Sequence, residues 1–249
     1  MRSVGERPPV ILNLGSGART SASCVNIDWS PYIRIKQNPV LRRLAPLVLS
    51  GERAQRYFAL KGELLAHNLR KGIPWPDDSV DAVYLSHVLE HIDRDQASGF
   101  LSEILRVLKP GGICRIVVPD LATICRSYLS DYELCLAGRA PVGEHERFVE
   151  SLLEQSVRRE SSGTKGLPRL RRILEQVLVG DARRRGETHQ WMYDAVSLSN
   201  LMSIVGFTTV NLTDFQTSRV PTWDAIRLDQ ESDAEYKADS LYIEGAKIQ

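Results

Sequence analysis

Short apolar runs alternate with stretches of helical period along this chain. Val10-Ile11-Leu12-Asn13-Leu14 runs into Gly15-Ser16-Gly17, the pattern of a buried strand closed by a glycine turn. Cys24-Val25-Asn26-Ile27, closed by Asp28, predicts a second strand, and Leu64-Leu65-Ala66 a weaker third. Residues 38–60 predict helix, with Leu41, Leu44, Leu47 and Val48 at helical spacing and Pro46 interrupting them. After the turn Pro74-Trp75-Pro76-Asp77-Asp78, residues 80–85 predict a fourth strand. Residues 95–108 predict an amphipathic helix on which Phe100, Leu101, Ile104, Leu105 and Leu108 share a face, stopped by Lys109 and Pro110-Gly111-Gly112. A fifth strand follows at 113–118, cut by Pro119.

From 121 to 186 the period is helical, broken at Ser161-Ser162-Gly163 and Gly166-Leu167-Pro168. Asp194 is then an N-cap for a helix that repeats Leu198, Leu201, Met202 and Val205 on one face and ends at Gly206. Residues 207–212 predict a sixth strand, and 241–245 a last one, reached through an acidic connection. Strands alternating with helices predict an α/β fold with a mostly parallel sheet covered on both faces. The organisation expected is one domain over 1–249, with a helical insertion at 121–193 after the fifth strand.

Composition narrows the class. The 249 residues are 43% hydrophobic, and 32 basic residues nearly balance 31 acidic ones, so no global charge draws the chain to nucleic acid or anionic lipid. No apolar run reaches the roughly 18–20 residues that span a bilayer. The start, MRSVGERPP, lacks the apolar core of a secretory signal. Cys24, Cys114, Cys125 and Cys135 sit singly, which reads as reduced thiols in a cytoplasmic protein.

A glycine turn at the carboxyl end of a first strand lets backbone amides face a ligand. Ligands of open α/β sheets bind in that crevice, where an acid closing the next strand can accept from a ribose diol. The turn taken alone is weak. The dinucleotide pattern started at Gly15 finds Thr20 in place of its third glycine, and Asp28 falls early for that pattern. An ordinary strand-to-helix turn has the same residues.

The order of segments says more. Asn13-Leu14-Gly15-Ser16-Gly17, Asn26-Ile27-Asp28, the run from Ile73 to Tyr84 (IPWPDDSVDAVY), Ser86-His87-Val88-Leu89-Glu90-His91 and the run from Leu105 to Gly112 (LRVLKPGG) follow one another. This series resembles the class I S-adenosylmethionine-dependent methyltransferases, in particular their small bacterial branch of the type 11 kind, over residues 10–120 closely and 187–213 loosely. The resemblance implies a Rossmann-like, doubly wound, seven-stranded sheet with its last strand antiparallel, and S-adenosylmethionine as cofactor. By position it implies Leu14, Gly15, Ser16 and Gly17 beside the methionine portion and Asp28 on the ribose. Asn68 and Leu69 fall beside the adenine, with Asn where the family usually has Asp. Ser86 and His87 border the methyl group. Arg19 stands where many members have a third glycine. Only Ala18 to Cys24 separate Gly17 from the second strand, which leaves room for a single-turn helix and a pocket closed partly by another segment.

Methyl transfer to a hydroxyl or amine needs alignment, desolvation and a base. His87 lies where such a base belongs, and an imidazole could act as one; packing in the loop is its other reading. Asp120, after the fifth strand, either serves the acceptor or caps the next helix. His189-Gln190-Trp191-Met192-Tyr193 either walls a sugar or aromatic acceptor or packs a seam. His91 reads as structural. The spacings of His87, His91 and His189 carry no recognised ligand signature, so no metal is expected.

Residues 157–187 hold nine Lys/Arg and four Asp/Glu. The run, with Arg169, Arg171, Arg172, Arg183, Arg184 and Arg185, is a solvated face, a phosphate platform or a dimer contact; its few aromatics disfavour nucleic acid. The expectation is methyl transfer to an oxygen or nitrogen of a small molecule, with a sugar or glycan precursor favoured. Its rival is a methyltransferase-like module that binds cofactor or partner without catalysis, which Arg19, Asn68 and the short crossover would suit.

Overall fold

The computed structural model describes residues 7–141, 145–146, 148–150, 152–153 and 189–248. β1 (Ile11–Leu14) and β2 (Val25–Asp28) open the chain, followed by α1 (Pro31–Gln37), α2 (Pro39–Val48), α3 (Gly51–Ala59) and β3 (Glu63–Ala66). β4 (Val80–Ser86), α4 (Arg94–Val107), β5 (Leu108–Pro119) and α5 (Leu121–Leu136) come next. After them stand α6 (Ala195–Val205), β6 (Phe207–Thr213), α7 (Trp223–Ile226), the small pair β7 (Gln230–Glu231) and β8 (Ala234–Glu235), and β9 (Ser240–Lys247). Short 3-10 turns occupy Leu69–Lys71 and Leu89–His91.

The seven-stranded sheet has the order β3-β2-β1-β4-β5-β9-β6, with β9 antiparallel to both neighbours and the other pairings parallel. The order reverses at β1, so β1 and β4 splay a crevice beyond their carboxyl ends, the position where open α/β sheets hold ligands. This is the Rossmann-like sheet expected from the sequence, last strand included.

One face is covered by α4 and α6. Ala97, Leu101, Ile104 and Val107 from α4 and Leu198 and Met202 from α6 pack on Leu12, Leu14, Val83, Leu85 and Ile243. Removing that apolar area from water is the main force holding the helices down. Asp194 caps α6 as predicted, in a capping box with Ser197, and Gly206 closes it in the left-handed region. The opposite face is covered by Val220, Trp223, Ile226 and Leu228, packed on Ile11, Ala82, Tyr84, Val117 and Tyr242.

That second layer has a buried ion cluster at its centre. Arg115 on β5 is fully buried and donates through Nε to Asp229 Oδ2 at 2.8 Å and through a terminal nitrogen to Glu244 Oε1 at 2.9 Å. Its guanidinium also stacks on Trp223 at 4.5 Å, and Tyr84 Oη donates to Asp229 Oδ1. A buried charge is tolerable because its donors are spent on carboxylates and on the carbonyls of Asp214 and Thr217.

Residues 38–60 are helical as expected, in two helices preceded by α1, with Leu41, Leu44, Leu47 and Val48 exposed; α2 buries Ala45 and α3 buries Tyr57. Amphipathic period marks a face that wants burial, and here the other elements leave that face to solvent. The crossover from β1 to β2 contains turns and no helix, not even a single turn. The fifth strand begins directly at the end of α4, at Leu108, with Pro110-Gly111 bulged out of register between Val80 and Ala82 of β4. No helix among the described residues is long and apolar enough to cross a membrane. The four cysteines are free thiols. Of residues 121–193, expected to form a helical insertion, α5 is described; the arginines at 169, 171, 172 and 183–185 lie outside the described residues.

Candidate active site

A cleft of about 420 Å³ opens at the carboxyl ends of β1, β2 and β4. Gly15, Asp28, Trp29, Asn68, Leu69 and His87 contribute to its walls, with Val88, His91 and Phe100 completing the side toward α4.

The glycine turn is built for close approach. The amides of Gly15 and Ser16 both donate to the Ile27 carbonyl, at 2.8 and 3.3 Å, which folds the turn over the end of β2. Gly15 has φ +65° and Gly17 φ +52°, a region that favours glycine. A Cβ at Gly15 would overlap Val88 Cγ2 and lie 3.2 Å from Cγ1, so the side chain is forbidden twice over.

Asp28 closes β2 and its Oδ2 accepts from the Gly17 amide at 3.0 Å. Burial raises its pKa above the usual carboxylate value; the amides of Gly17 and Ser30 pull the other way without cancelling it. The adjoining Trp29 lies half in solvent at the cleft edge, its indole covered on one side by the Arg34 guanidinium at 4.6 Å. An aromatic ring held open beside an acid is a stacking surface, and no spacing signal in the sequence marks it. Asn68 Oδ1 caps the following 3-10 turn by accepting from Arg70 N at 3.1 Å, which holds Leu69 against the cleft.

His87 enters from the loop after β4 with φ +54°, a conformation costly for a residue with a Cβ. The loop holds it there: its amide donates to Val117 O at 2.8 Å, and its Nε2 stands 3.2 Å from Ser240 Oγ. Its Nδ1 lies 3.2 Å from Glu90 Oε1. Glu90 is fully buried, and its Oε2 has no hydrogen-bond partner among the described residues. Burial would raise its pKa, but the imidazoles of His87, His91 and His189 around it outweigh that and hold it below the usual value.

The residues singled out in the sequence therefore divide. Gly15, Asp28, Asn68, Leu69 and His87 meet on the cleft. Leu14, Ser16, Gly17 and Ser86 stand behind it: Leu14 is in the core, Ser16 is buried, and Gly17 braces Asp28. Asp120 is the N-cap of α5, accepting from Ala122 N at 3.1 Å and Thr123 Oγ1 at 2.6 Å. His189 is buried against His91, ring centroids 4.8 Å apart and edge-on, with Nε2 4.0 Å from Glu90 Oε1. Arg19 turns away from the cleft. It donates to the carbonyls of Leu228 and Gln230 and stacks on Tyr236 at 4.0 Å, so the hairpin region braces the crossover that lacks a helix. The Pro-Trp-Pro-Asp turn is likewise structural, pinned by Arg106 through the carbonyls of Ile73 and Trp75 and through Asp77.

Residues 13–116, which carry this turn, acid and loop, match the family described as "Methyltransferase domain". The chain contains a class I S-adenosylmethionine-dependent methyltransferase domain. Within that class, a demethylmenaquinone methyltransferase of Tropheryma whipplei is 31% identical over 134 residues, 51% of this chain and 47% of that protein. An uncharacterized methyltransferase of Mycolicibacterium vanbaalenii is 33% identical over 104 residues, 41% of this chain and 36% of that protein. The matched region thus spans at most about half the length of these curated relatives. A solved SAM-dependent methyltransferase from Methanosarcina mazei aligns with 98% of this chain and 94% of its own, at 16% identity and a TM-score of 0.45. The fold of the domain rests on its strand order rather than on that alignment. The residues of the domain fit its cofactor: a cradle at Gly15 that a Cβ would fill, an acid at Asp28 and an open indole at Trp29.

Proposed function

We propose that this chain transfers a methyl group from S-adenosylmethionine to an oxygen or nitrogen of a small-molecule acceptor in the cytoplasm, a sugar or glycan precursor being favoured. The observation that carries the reading is the convergence of Gly15, Asp28 and His87 on one cleft. The cofactor, when bound, supplies an electrophilic methyl carbon on a sulfonium. The chain's own work is alignment and proton removal.

Asp28 Oδ2 accepts from Gly17, and the residue lines the cleft where a diol would meet it. Trp29 and Leu69 offer apolar surface for a purine. His87 takes the acceptor's proton. With Glu90 ionised, Nδ1 keeps its hydrogen facing that carboxylate, so Nε2 is the basic nitrogen. Once protonated, Nε2 faces Ser240 Oγ, whose own hydrogen is donated to the Lys237 carbonyl, so that oxygen accepts. Residues 121–193 serve in this reading as the acceptor-side lid, and the sequence around His189 and Trp191 suits a hydroxyl-rich or aromatic ligand.

Calorimetric titration with S-adenosylmethionine and S-adenosylhomocysteine tests the cofactor half. Micromolar binding that is lost in Asp28→Ala is expected. An acceptor screen for S-adenosylhomocysteine release follows, with activated sugars first. Demethylmenaquinone is included because the Tropheryma relative is named for it. Binding without release from any acceptor would replace the enzyme by a cofactor-binding module.

A further inference from the structure

We infer that Glu90, His91 and His189 form a binding site for a first-row divalent metal ion of the Zn²⁺ type, opening onto the cleft beside His87. One potential donor atom from each of the three residues lies within 4.8 Å of the others. Around Glu90 Oε1 the separations are 3.9 Å to His91 Nε2 and 4.0 Å to His189 Nε2.

These distances are too long for hydrogen bonds. They exceed the about 3.3 Å between neighbouring ligands of one tetrahedral ion with bonds of about 2.0–2.1 Å, so an ion bound here would draw each pair together by less than about 1 Å. The chemistry agrees. Two imidazoles and one carboxylate are the donor set of open zinc sites, where a fourth position is left for water or substrate.

The second observation is Glu90 itself. Its side chain is 0% exposed, His87 Nδ1 is the one donor near Oε1 at 3.2 Å, and Oε2 and the buried His91 Nδ1 have no hydrogen-bond partner among the described residues. An ionised carboxylate left in that condition is expensive, and a cation held between it and the two imidazoles removes the cost. The backbone has been arranged to keep the three residues together. The amides of Gln190 and Trp191 both donate to the Glu90 carbonyl, at 2.6 and 3.2 Å. That clamp ties the segment carrying His189 to the turn carrying Glu90 and His91, across a sequence gap no spacing rule would bridge. Asp131, Cys135 and His145 also cluster, but there His145 Nδ1 already sits 2.7 Å from Asp131, closing the pair by its own hydrogen bond.

The site is read without cofactor or acceptor, so it stands or falls apart from the methyl-transfer reading. Tag-free protein, stripped with a chelator, is titrated with Zn²⁺ by calorimetry and with Co²⁺ by visible absorption. One equivalent is expected to bind at micromolar or tighter dissociation constant, with d–d bands from Co²⁺ in a nitrogen–oxygen shell. His189→Ala and His91→Ala are each expected to weaken Zn²⁺ by about 100-fold, with circular dichroism checking the fold, and His145→Ala to leave it unchanged. Wild-type protein that takes up neither ion overturns the site, and so does binding that survives both histidine variants or is lost in His145→Ala. Since the wild-type Co²⁺ spectrum needs no variant, a misfolded mutant does not shield the inference.

Discussion

Gly15 and Val88 pack so closely that Gly15 has no room for a side chain while Val88 keeps its methyl groups. A Cβ on Gly15 would overlap the Val88 methyl groups, and the positive φ at that position forbids one independently. Through this contact the turn after β1 and the loop after β4 are set against each other at the mouth of the cleft. Gly15→Ala is expected to lower stability by about 1–3 kcal/mol and to weaken S-adenosylmethionine at least tenfold. Adding Val88→Ala removes the overlap and leaves the backbone strain, so urea unfolding should recover part of the loss. Full recovery would show that the overlap alone mattered.

Asp28 gives the cofactor site a pH dependence with a definite sign. Its pKa in the folded protein is raised, so it gains its proton at a higher pH than an ordinary aspartate. A diol bound through the carboxylate favours the ionised form. Cofactor affinity should therefore hold at neutral pH and fall as pH drops through the raised value, sooner than an unshifted Asp would allow. The same shift makes folding slightly more favourable at low pH, because burial penalises the charged state. Calorimetric titrations across pH 4–8, repeated on Asp28→Asn, check this: the variant should bind weakly with no such slope.

His87→Gln tests the base. Turnover is expected to fall by about 10²- to 10⁴-fold while S-adenosylhomocysteine affinity changes little. His189→Ala should also depress turnover far more than cofactor affinity. Unchanged turnover in either variant removes that residue from the reaction.

Asp120 is expected to separate cleanly from these. Asp120→Ala removes the cap of α5 and should cost about 0.5–2 kcal/mol in stability. Turnover per folded molecule should stay near wild type. A selective loss of turnover would return Asp120 to the acceptor side.

Arg115 is the costliest side chain to remove. Arg115→Ala leaves Asp229 and Glu244 buried without their cation, and thermal or urea unfolding should show a loss of about 3–5 kcal/mol. The triple change Arg115→Met, Asp229→Leu, Glu244→Met is expected to recover much of it. That outcome would assign the cluster to orientation of the 214–229 segment rather than to net stability.

By itself the sequence determined the succession of strands and helices and a mostly parallel sheet. Apolar runs at strand length, helical period between them and the stops at Gly206 and Pro110-Gly111-Gly112 are local signals, set by backbone geometry and by which faces must leave water. The same local character made Gly15 and Asp28 legible as a candidate ligand end, because a turn and an acid at strand termini act through their immediate backbone, and the resemblance added the cofactor. Tertiary structure decided what depends on partners distant in sequence. The period at Leu41, Leu44 and Leu47 could not say whether anything covers that face. Arg19 looked like a defect in a glycine pattern until the hairpin carbonyls 209 and 211 residues away took its donors. Asp229 was one acid among many in a polar connection until Arg115 met it. Glu90, His91 and His189 gather because the backbone amides of Gln190 and Trp191, a hundred residues on, fasten to the Glu90 carbonyl. Hydrogen bonds and charges act over a few ångströms whatever the separation along the chain, so such a cluster becomes visible only when the chain has closed on itself.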